Sequence, residues 1–585
     1  MTTFVTGKDA TLEATIARFH TQLQALGFNM DSMESALWHN PIPNVWSVQI
    51  RDIDAPMNVS HGKGTSQKAA LASALGEYLE RLATNDFYND YYLGAAVADS
   101  EFVHYPNEKW FPIDLEENLP PEAILDERLT QFYDPTLELL GTDLVDLQSS
   151  NMVRGICTLP FERQSDKETT YIPVNIISNL YASIGISTGD TQFEARAQAL
   201  CDIIERKIKS RVIDEKISLP EIPQPTLSRF TTIQGAMDAL KAEGFQINSY
   251  DASLGGKFPV VCVALSSPDK QVSFAAFGAH PCFEVAFERA ITELLQGRSL
   301  DELNALLVHS AESSATNNDD VSDNQPAESA GFVPSALFQP GSSVDFSDWS
   351  ISGTSEEHFN YLMGRLHAEG ADVYIADYDH LGVDCCRIIV PGWSEISPVD
   401  DLIEANNNVA LELREVLLAL PNVEWDAEQY AEMFHIVEEE FDDNTLLPAI
   451  LGMATDTSDA WQTLRVGELK CLIALAGGDL ELALEYAQWS VAFNTSTYST
   501  DRANFVRCLV DSLKLALDEE HDPATLKADF ERKYGSETVA AAWGSIEGSV
   551  RFHGLTAGDL TMSQFPPHQK LLQSYRKLQT AKTQN

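Results

Sequence analysis

The sequence is poor in positive charge. Its 585 residues include 39 Lys and Arg side chains against 88 Asp and Glu, which gives a formal net charge of −49. Because nucleic acids and anionic membranes are bound through clusters of Lys and Arg, this deficit predicts no direct nucleic-acid ligand and no membrane docking surface. The apolar fraction of 44% is ordinary for a folded chain, so the acid excess does not indicate general disorder.

Cysteine and long apolar runs are also scarce. The eight cysteines include no C-x-x-C pair, which argues against zinc and redox motifs and predicts scattered buried thiols in a reducing compartment. The neighbours Cys385 and Cys386 would point to opposite faces of a strand. No run of 18 or more apolar residues occurs, and the N-terminal segment lacks the apolar run of a signal peptide. We therefore expect a soluble cytoplasmic protein.

The common phosphate-binding motifs are missing as well. The segment Gly62-Lys63-Gly64-Thr65 resembles part of a Walker loop, but Met57 stands where that motif needs glycine. No G-x-G-x-x-G sequence opens a helix. A bound nucleotide would therefore be held through carboxylates and metal rather than by a glycine-rich loop. We interpret Gly62-Lys63-Gly64 as a break between a weak strand and the following helix.

Strand-like and helix-like patterns alternate up to about residue 305, which predicts an α/β or α+β fold. The predicted strands lie at 45–50, 57–60, 245–251, 257–267, 273–279, 372–379 and 385–392, and the predicted helices at 66–84, 194–211 and 283–297. Residues 309–331 are polar and acidic without a single Lys or Arg, which predicts a disordered insertion inside the domain. We expect one domain over residues 1–400.

The pattern changes to helices after about residue 400. Segments 461–476 and 480–493 predict an antiparallel helix pair joined by Gly477-Gly478-Asp479, and 503–517 supplies a third helix. The pair resembles a tetratricopeptide unit, without a clean repeat period. We predict an all-α, tetratricopeptide-like domain over 401–585 that serves dimerisation or interaction, and hence a homodimer.

Three predicted helices share a polar face of acids and arginine, judged by a rotation of about 100° per residue. One such face is typical of a solvated surface, but three with the same pattern favour a shared cleft. Carboxylates in one cleft would repel each other unless cations were bound, and arginine suits phosphate oxygens, so the pattern predicts a Mg²⁺-bridged triphosphate. The residues are Ser73, Glu77, Glu80 and Arg81 on the first helix, Asp202, Glu205 and Arg206 on the second, and Arg289, Glu293 and Gln296 on the third.

Four segments resemble a known family. SALGEYLER (73–81), DIIER (202–206), ERAITELLQGR (288–298) and RIIVPG (387–392) are similar, in order as well as in residues, to the signature segments of the YcaO family. The resemblance implies an α+β fold, in which a YcaO-type ATP-binding domain with a β-sheet core and flanking helices precedes the helical extension. It also implies ATP and Mg²⁺ as ligands.

The resemblance implies roles for individual residues. Those that would bind metal are Glu77, Glu80, Glu194, Asp202, Glu205 and Glu293. Those that would bind the nucleotide are Lys8, Thr15, Ser73, Arg81, Ser187, Asp190, Arg206, Arg289 and Gln296. Two positions depart from the family pattern: Asp202 replaces the usual Glu, and Asp190 replaces a more usual Asn. His61 and His280 border the motifs, but we interpret them as packing residues and assign no general base.

Family members use ATP to activate a backbone amide oxygen, usually with a partner protein. The chain resembles the branch that assists β-methylthiolation of a small-subunit ribosomal protein. The resemblance therefore implies an ATP-hydrolysing accessory factor whose partner is a radical methylthiotransferase or a ribosomal protein. Azoline formation is not predicted, because the chain ends in SYRKLQTAKTQN rather than a proline-rich tail. Two alternatives remain: a helical adaptor with a structural ATP site, and a metal-dependent phosphohydrolase without nucleotide specificity.

Overall fold

The computed structural model describes residues 3–31, 35–266, 272–313, 330–339, 341–457, 459–518, 520 and 523–584. These residues contain thirteen strands in three antiparallel sheets and twenty-one α-helices. The helical region follows the mixed region, so the predicted α+β fold is confirmed. Of the insertion predicted at 309–331, residues 314–329 lie outside the described part of the chain.

The strands form sheets of three, four and six members. They are β1 (Leu37–Ile42), β2 (Val45–Arg51), β3 (Val59–Gly64), β4 (Lys109–Phe111), β5 (Ile156–Arg163), β6 (Thr169–Pro173), β7 (Ile186–Gly189), β8 (Gln246–Asp251), β9 (Val260–Ser266), β10 (Val272–Ala279), β11 (Ala330–Pro334), β12 (Tyr374–Tyr378) and β13 (Asp384–Ile389). Their orders are β1-β2-β3, β11-β10-β9-β8 and β4-β5-β12-β13-β7, with β6 paired to β5. The largest sheet joins distant segments, since Tyr374 pairs with Arg163 and Asp384 with Gly189.

The helices up to the end of the mixed region are α1 (Leu12–Ala25), α2 (Gln67–Ala83), α3 (Ala95–Ala98), α4 (Glu127–Tyr133), α5 (Val174–Leu180), α6 (Gln192–Asp214), α7 (Gln224–Leu227), α8 (Thr231–Ala242), α9 (Phe283–Leu294), α10 (Leu300–Ser313) and α11 (Ser355–Ala368). Those that follow are α12 (Asp401–Glu404), α13 (Arg414–Ala419), α14 (Ala427–Glu440), α15 (Leu447–Leu451), α16 (Val466–Gly477), α17 (Leu480–Phe493), α18 (Thr500–Ala516), α19 (Pro523–Tyr534), α20 (Ser536–Ile546) and α21 (Pro566–Gln584). None of the described helices is long and apolar enough to cross a membrane.

Three helices each follow a strand that belongs to a different sheet: α2 follows β3, α6 follows β7, and α9 follows β10. The first two begin at hydroxyl N-caps, because Ser66 accepts a hydrogen bond from the backbone N–H of Ala69 and Thr191 from that of Glu194. The face of α2 opposite its polar residues is buried, with Tyr78 fully inaccessible to solvent. In each of these three strand–helix pairs, the polar face of the helix lines the same cavity.

Glycines allow these strands and helices to pack backbone against backbone. A Cβ atom at Gly62 would lie 2.0 Å from the carbonyl oxygen of Ala70, and one at Gly278 would lie 2.2 Å from that of Ala286. The predicted break at Gly62-Lys63-Gly64 is therefore wrong: these residues lie inside β3, and their glycines serve the close contact with α2. The predicted strand at 57–60 correspondingly begins at Val59 and runs to Gly64.

The cysteines behave as the sequence predicts. All eight are free, and all except Cys282 are buried. Cys385 and Cys386 lie in β13 and belong to two different hydrophobic clusters on its two faces. No redox pair is formed.

The C-terminal helices share a core with the N-terminal region. The predicted pair α16 and α17 is present and packs closely, since a Cβ at Gly467 would lie 2.6 Å from the Trp489 ring. Helix α21 inserts among N-terminal elements, where Ser574 Oγ lies 2.8 Å from the Tyr88 hydroxyl and accepts a hydrogen bond from Asn58 Nδ2 at 3.1 Å. One hydrophobic cluster thus spans both sides of residue 400, and the division into domains 1–400 and 401–585 stays a prediction.

Candidate nucleotide and metal site

The polar faces of α2, α6 and α9 meet around one cavity of about 580 Å³. This volume falls within the roughly 300–1,000 Å³ that is typical of ligand pockets. Strands β3 and β7, helix α1 and the N-terminal segment 5–8 also contribute to the wall. Fourteen of the fifteen residues predicted from the sequence line it: Lys8, Thr15, Ser73, Glu77, Glu80, Arg81, Ser187, Glu194, Asp202, Glu205, Arg206, Arg289, Glu293 and Gln296.

The fifteenth residue, Asp190, does not line the cavity. It accepts a hydrogen bond from Thr15 Oγ1 at 2.5 Å and forms an ion pair with Arg18 at 3.0 Å, so it ties α1 to the turn before α6. Gln296 does line the cavity, although the helix predicted over 283–297 ends at Leu294. The chain turns there because Gly297 adopts a left-handed φ of +68°.

Each arginine of the three helix faces is paired with one of the predicted metal-binding acids. Arg81 Nε lies 3.1 Å from Glu77, and Arg206 Nε lies 3.0 Å from Asp202, both at i,i+4 spacing. The third pair joins two helices, because Arg289 Nη2 lies 3.6 Å from Glu205. These pairs hold cationic groups beside the acids, which is the mixture of charges that a metal–phosphate complex needs.

Backbone N–H groups fix several of the acids in place. Glu80 accepts a hydrogen bond from the N–H of Thr188 at 3.1 Å, and Glu205 accepts one from the N–H of Ala279 at 3.0 Å. Glu194 is buried, pairs with Lys8 at 3.1 Å and accepts the N–H of Asp9 at 2.9 Å. The cavity is thus preorganised by contacts between the helices, the strands and the N-terminal segment.

The surroundings disfavour the charged forms of two side chains in the cavity. Burial, followed by the neighbouring Glu77 charge, raises the pKa of the Glu80 carboxyl well above its usual range. Burial, followed by the Arg289 charge, lowers the pKa of Lys63 to about 8. A cation in the cavity would favour the Glu80 carboxylate, and a polyanion would favour the charged lysine.

Lys63 is a cavity residue that the sequence analysis missed. It contacts Glu293 and stands in β3, where the alternation of a strand places His61 and Lys63 toward the cavity and Gly62 and Gly64 toward α2. The sequence pattern that could have revealed Lys63 is the two-residue alternation of 59–64, which is typical of a strand. The similarity of Gly62-Lys63-Gly64 to a glycine-rich loop hides that alternation. His280 also lines the cavity, although its position next to a motif predicted only packing.

The residues present fit Mg²⁺ held jointly by protein and phosphate oxygens. Seven carboxylates and five Lys or Arg side chains line the cavity. No group of three or more Asp, Glu, His or Cys side chains in the described ranges forms a metal site made of protein ligands alone. Mg²⁺ usually takes one or two carboxylates and completes its shell with phosphate oxygens and water. In addition, the buried Nε of Arg289 has no hydrogen-bond partner among the described residues, which suits an anionic ligand.

An α+β scaffold that gathers acids and arginines around one nucleotide-sized cavity defines a candidate ATP–Mg²⁺-binding protein. The family model described as YcaO cyclodehydratase, ATP- and Mg²⁺-binding, matches residues 61–394, and the model for the YcaO cyclodehydratase C-terminal domain matches 410–584. The chain belongs to the YcaO family. The predicted ligands, ATP and Mg²⁺, are confirmed by this family assignment.

Two curated relatives are similar over nearly their whole length. The ribosomal protein S12 methylthiotransferase accessory factor YcaO of Escherichia coli is 50% identical over 581 residues, covering 99% of this chain and 98% of the relative. An uncharacterized protein of Haemophilus influenzae is 49% identical over 590 residues, covering 100% and 99%. Among solved structures, YcaO from Methanopyrus kandleri bound with AMPPCP and Mg²⁺ is 15% identical with a TM-score of 0.41, covering 68% of this chain and 93% of that one.

Proposed function

We propose that this protein hydrolyses ATP with Mg²⁺ and acts as an accessory factor in β-methylthiolation of a small-subunit ribosomal protein. The observation that carries the proposal is the convergence of fourteen predicted residues on one cavity, from the N-terminal segment, α1, β7 and the three helices α2, α6 and α9 with the turn after α9. The name of the Escherichia coli relative supports the biological role, because the two chains are 50% identical over 99% of this one. We also propose that the energy of ATP cleavage serves to activate a backbone amide oxygen.

The roles follow from charge and position. Bound Mg²⁺ would neutralise phosphate charge, and its protein ligands would be Glu77, Glu80, Glu194, Asp202, Glu205 and Glu293. Lys8 and the three arginines would bind and orient phosphate oxygens, because a guanidinium group matches their geometry. The nucleotide-contact set also includes Thr15, Ser73, Ser187 and Gln296, with Asp190 acting through its contact with Thr15.

Conservative neutralisation of the acids tests this proposal. The double variant Glu77→Gln, Glu80→Gln keeps side-chain size while removing two charges, and Glu122→Gln, an exposed carboxylate outside the cavity, is the matched control. We expect calorimetry in Mg²⁺ buffer to show ATP binding by the wild type and the control, and a loss of at least about 100-fold in the double variant, as expected for the removal of charged contacts. Phosphate release should be abolished in parallel.

The other outcomes separate the alternatives. A wild type that binds no ATP would contradict the proposal. Binding without phosphate release would favour the helical adaptor with a structural ATP site. Release of phosphate from simple phosphate esters at comparable rates would favour the phosphohydrolase without nucleotide specificity.

We also propose that the tetratricopeptide-like region 401–585 of a cytoplasmic homodimer makes the protein contacts, with a radical methylthiotransferase or the ribosomal protein as partner. Deleting this region would not test the idea, because α21 completes the core around Tyr88. Phe493, at the end of α17, is 64% exposed and can be changed without disturbing that core. Light scattering of the wild type and of Phe493→Lys would measure the oligomeric state, and a monomeric wild type would contradict the dimer.

A further inference from the structure

His280 lies in the wall of the nucleotide cavity, between the end of β10 and the start of α9. Its side chain is only 6% exposed. Neither the predicted metal ligands nor the predicted nucleotide contacts include it. Its hydrogen bonds and neighbours define what the imidazole ring can do there.

One hydrogen bond determines which ring nitrogen carries the proton. The backbone N–H of Cys282 donates to His280 Nδ1 at 2.9 Å. An N–H can donate only to a lone pair, so Nδ1 carries no proton and the neutral ring carries its proton on Nε2. The ring therefore presents Nε2–H as a donor. The same contact excludes His280 as a general base, because the only free lone pair of the neutral ring is already occupied.

The surroundings keep the ring neutral. Burial comes first among the causes that lower the pKa of His280 well below its usual range, and the charges of His358, Arg289 and Lys8 act in the same direction. These groups face the ring from α11, α9 and the N-terminal segment, and the ring of His358 lies 5.0 Å away in an edge-on arrangement. The hydrogen bond from the N–H of Cys282 also favours the neutral ring, because a protonated Nδ1 could not accept it.

Gly7 lies beside the Nε2 edge of the ring. Gly7 adopts a left-handed φ of +80°, and a Cβ on it would lie 3.0 Å from both Cε1 and Nε2 of His280. Both residues line the cavity. Because Gly7 has no side chain, the donor edge of the ring is not covered by one from this part of the N-terminal segment.

We propose that His280 is a neutral hydrogen-bond donor to the bound triphosphate, with Nε2–H directed to a phosphoryl oxygen. The inference rests on the proposed ATP binding. A third cation beside Lys8 and Arg289 would add repulsion in the empty cavity, whereas a neutral imidazole supplies a fixed dipole without charge. Such a preorganised donor stabilises negative charge that develops on a phosphoryl oxygen during transfer.

The tautomer can be read without nucleotide. In protein labelled with ¹⁵N-histidine, the ring signals of His280 are those that disappear in His280→Gln. We expect a protonated Nε2 and an unprotonated Nδ1, with no titration between pH 5.5 and 8. A proton on Nδ1, or a titration near pH 6.5, would overturn the assignment.

Two variants then test the donor role. His280→Gln keeps an N–H near the position of Nε2, whereas His280→Phe keeps the ring and removes the donor. Thermal unfolding first establishes that both variants fold. We expect Mg²⁺·ATP to bind within about 3-fold of wild type in the Gln variant and roughly 10-fold or more weaker in the Phe variant, which is the loss expected for one hydrogen bond to a charged group.

The pH dependence separates a donor from a base. The ratio of wild-type to His280→Phe turnover should stay constant between pH 6 and 8, because a neutral ring does not change its protonation in this range. A ratio that falls steadily below pH 6.5, or a Phe variant equal to wild type in binding and turnover, would overturn the inference while leaving ATP hydrolysis intact. A wild type that binds no ATP would overturn the proposed function and this donor role together.

Discussion

A methyl group added at Gly62 tests whether the contact between β3 and α2 positions the acidic side of the site. A Cβ there would lie 2.0 Å from the carbonyl oxygen of Ala70 and 2.3 Å from the backbone nitrogen of Ala74. Ordinary contacts begin near 3.4 Å, so strand and helix would have to separate by about 1.4 Å. The obstructing atoms belong to the backbone of α2 and cannot rotate aside. The helix that carries Glu77 and Glu80 must therefore move.

Both stability and binding should respond. Overpacking of a well-packed interior costs about 1–3 kcal/mol, so we expect Gly62→Ala to lower the free energy of unfolding by that amount. A displacement of reacting groups by about 1 Å can reduce catalysis roughly 100-fold, and we expect a loss of this order in phosphate release. Urea unfolding followed by circular dichroism measures the first quantity, and calorimetry with a phosphate-release assay measures the consequences for the site.

Gly364→Ala is the matched control. Gly364 lies in α11, is exposed, and has no atom within 4 Å of its ideal Cβ position. The same chemical change should therefore leave ATP binding unchanged and stabilise the fold by roughly 0.4–1 kcal/mol through the unfolded state. If Gly62→Ala unfolds and hydrolyses ATP like the wild type, the argument that this contact positions the site is refuted.

Three further changes test other parts of the molecule. Lys63→Met removes the cation beside Glu293 and should weaken Mg²⁺·ATP binding roughly 10-fold or more by calorimetry, while Lys63→Arg should retain most of it. Burial lowers the pKa of His568 to about 4, so between pH 6.5 and 4 the unfolded state binds a proton that the folded state does not. The free energy of unfolding should therefore fall by about 2 kcal/mol more between pH 7 and 5 in the wild type than in His568→Gln. Equal falls in the two proteins would contradict this. Tyr575→Phe removes the hydrogen bond to the carbonyl of Val103 and should lower the free energy of unfolding by about 1 kcal/mol, measured in urea against the wild type.

The polar helix faces were predictable because they are local. Glu77 and Arg81 stand four residues apart on one helix, so their proximity follows from helical geometry. The N-cap at Ser66 and the buried stripe through Tyr78 follow from the same short window of sequence. Lys8 and Glu194 were predicted as site residues from the family resemblance. They are 186 positions apart in the sequence, so helical or strand periodicity could not reveal their contact.

The errors arose where tertiary packing decides the local structure. Gly62 and Gly64 are residues typical of a loop, yet they lie in a strand. Helix α2 packs so closely against this strand that a side chain at either position would clash with it. Asp190 does not line the cavity, because α1 supplies Thr15 and Arg18 as its partners, and its role in nucleotide binding stays a prediction. The pairing of β12 with β5 was equally inaccessible, because it joins segments about 200 residues apart, and nothing in either strand specifies its partner.

The position of α21 has a consequence for synthesis on the ribosome. Asn58 and Ser574 meet through a hydrogen bond across 516 positions. At about 5–20 residues added per second, roughly 25–100 s pass between the appearance of the two residues. Throughout that interval the apolar side chains around Tyr88 lack the cover that α21 provides in the folded protein. We therefore expect the N-terminal region to be prone to aggregation until α21 has been synthesised and has packed against it.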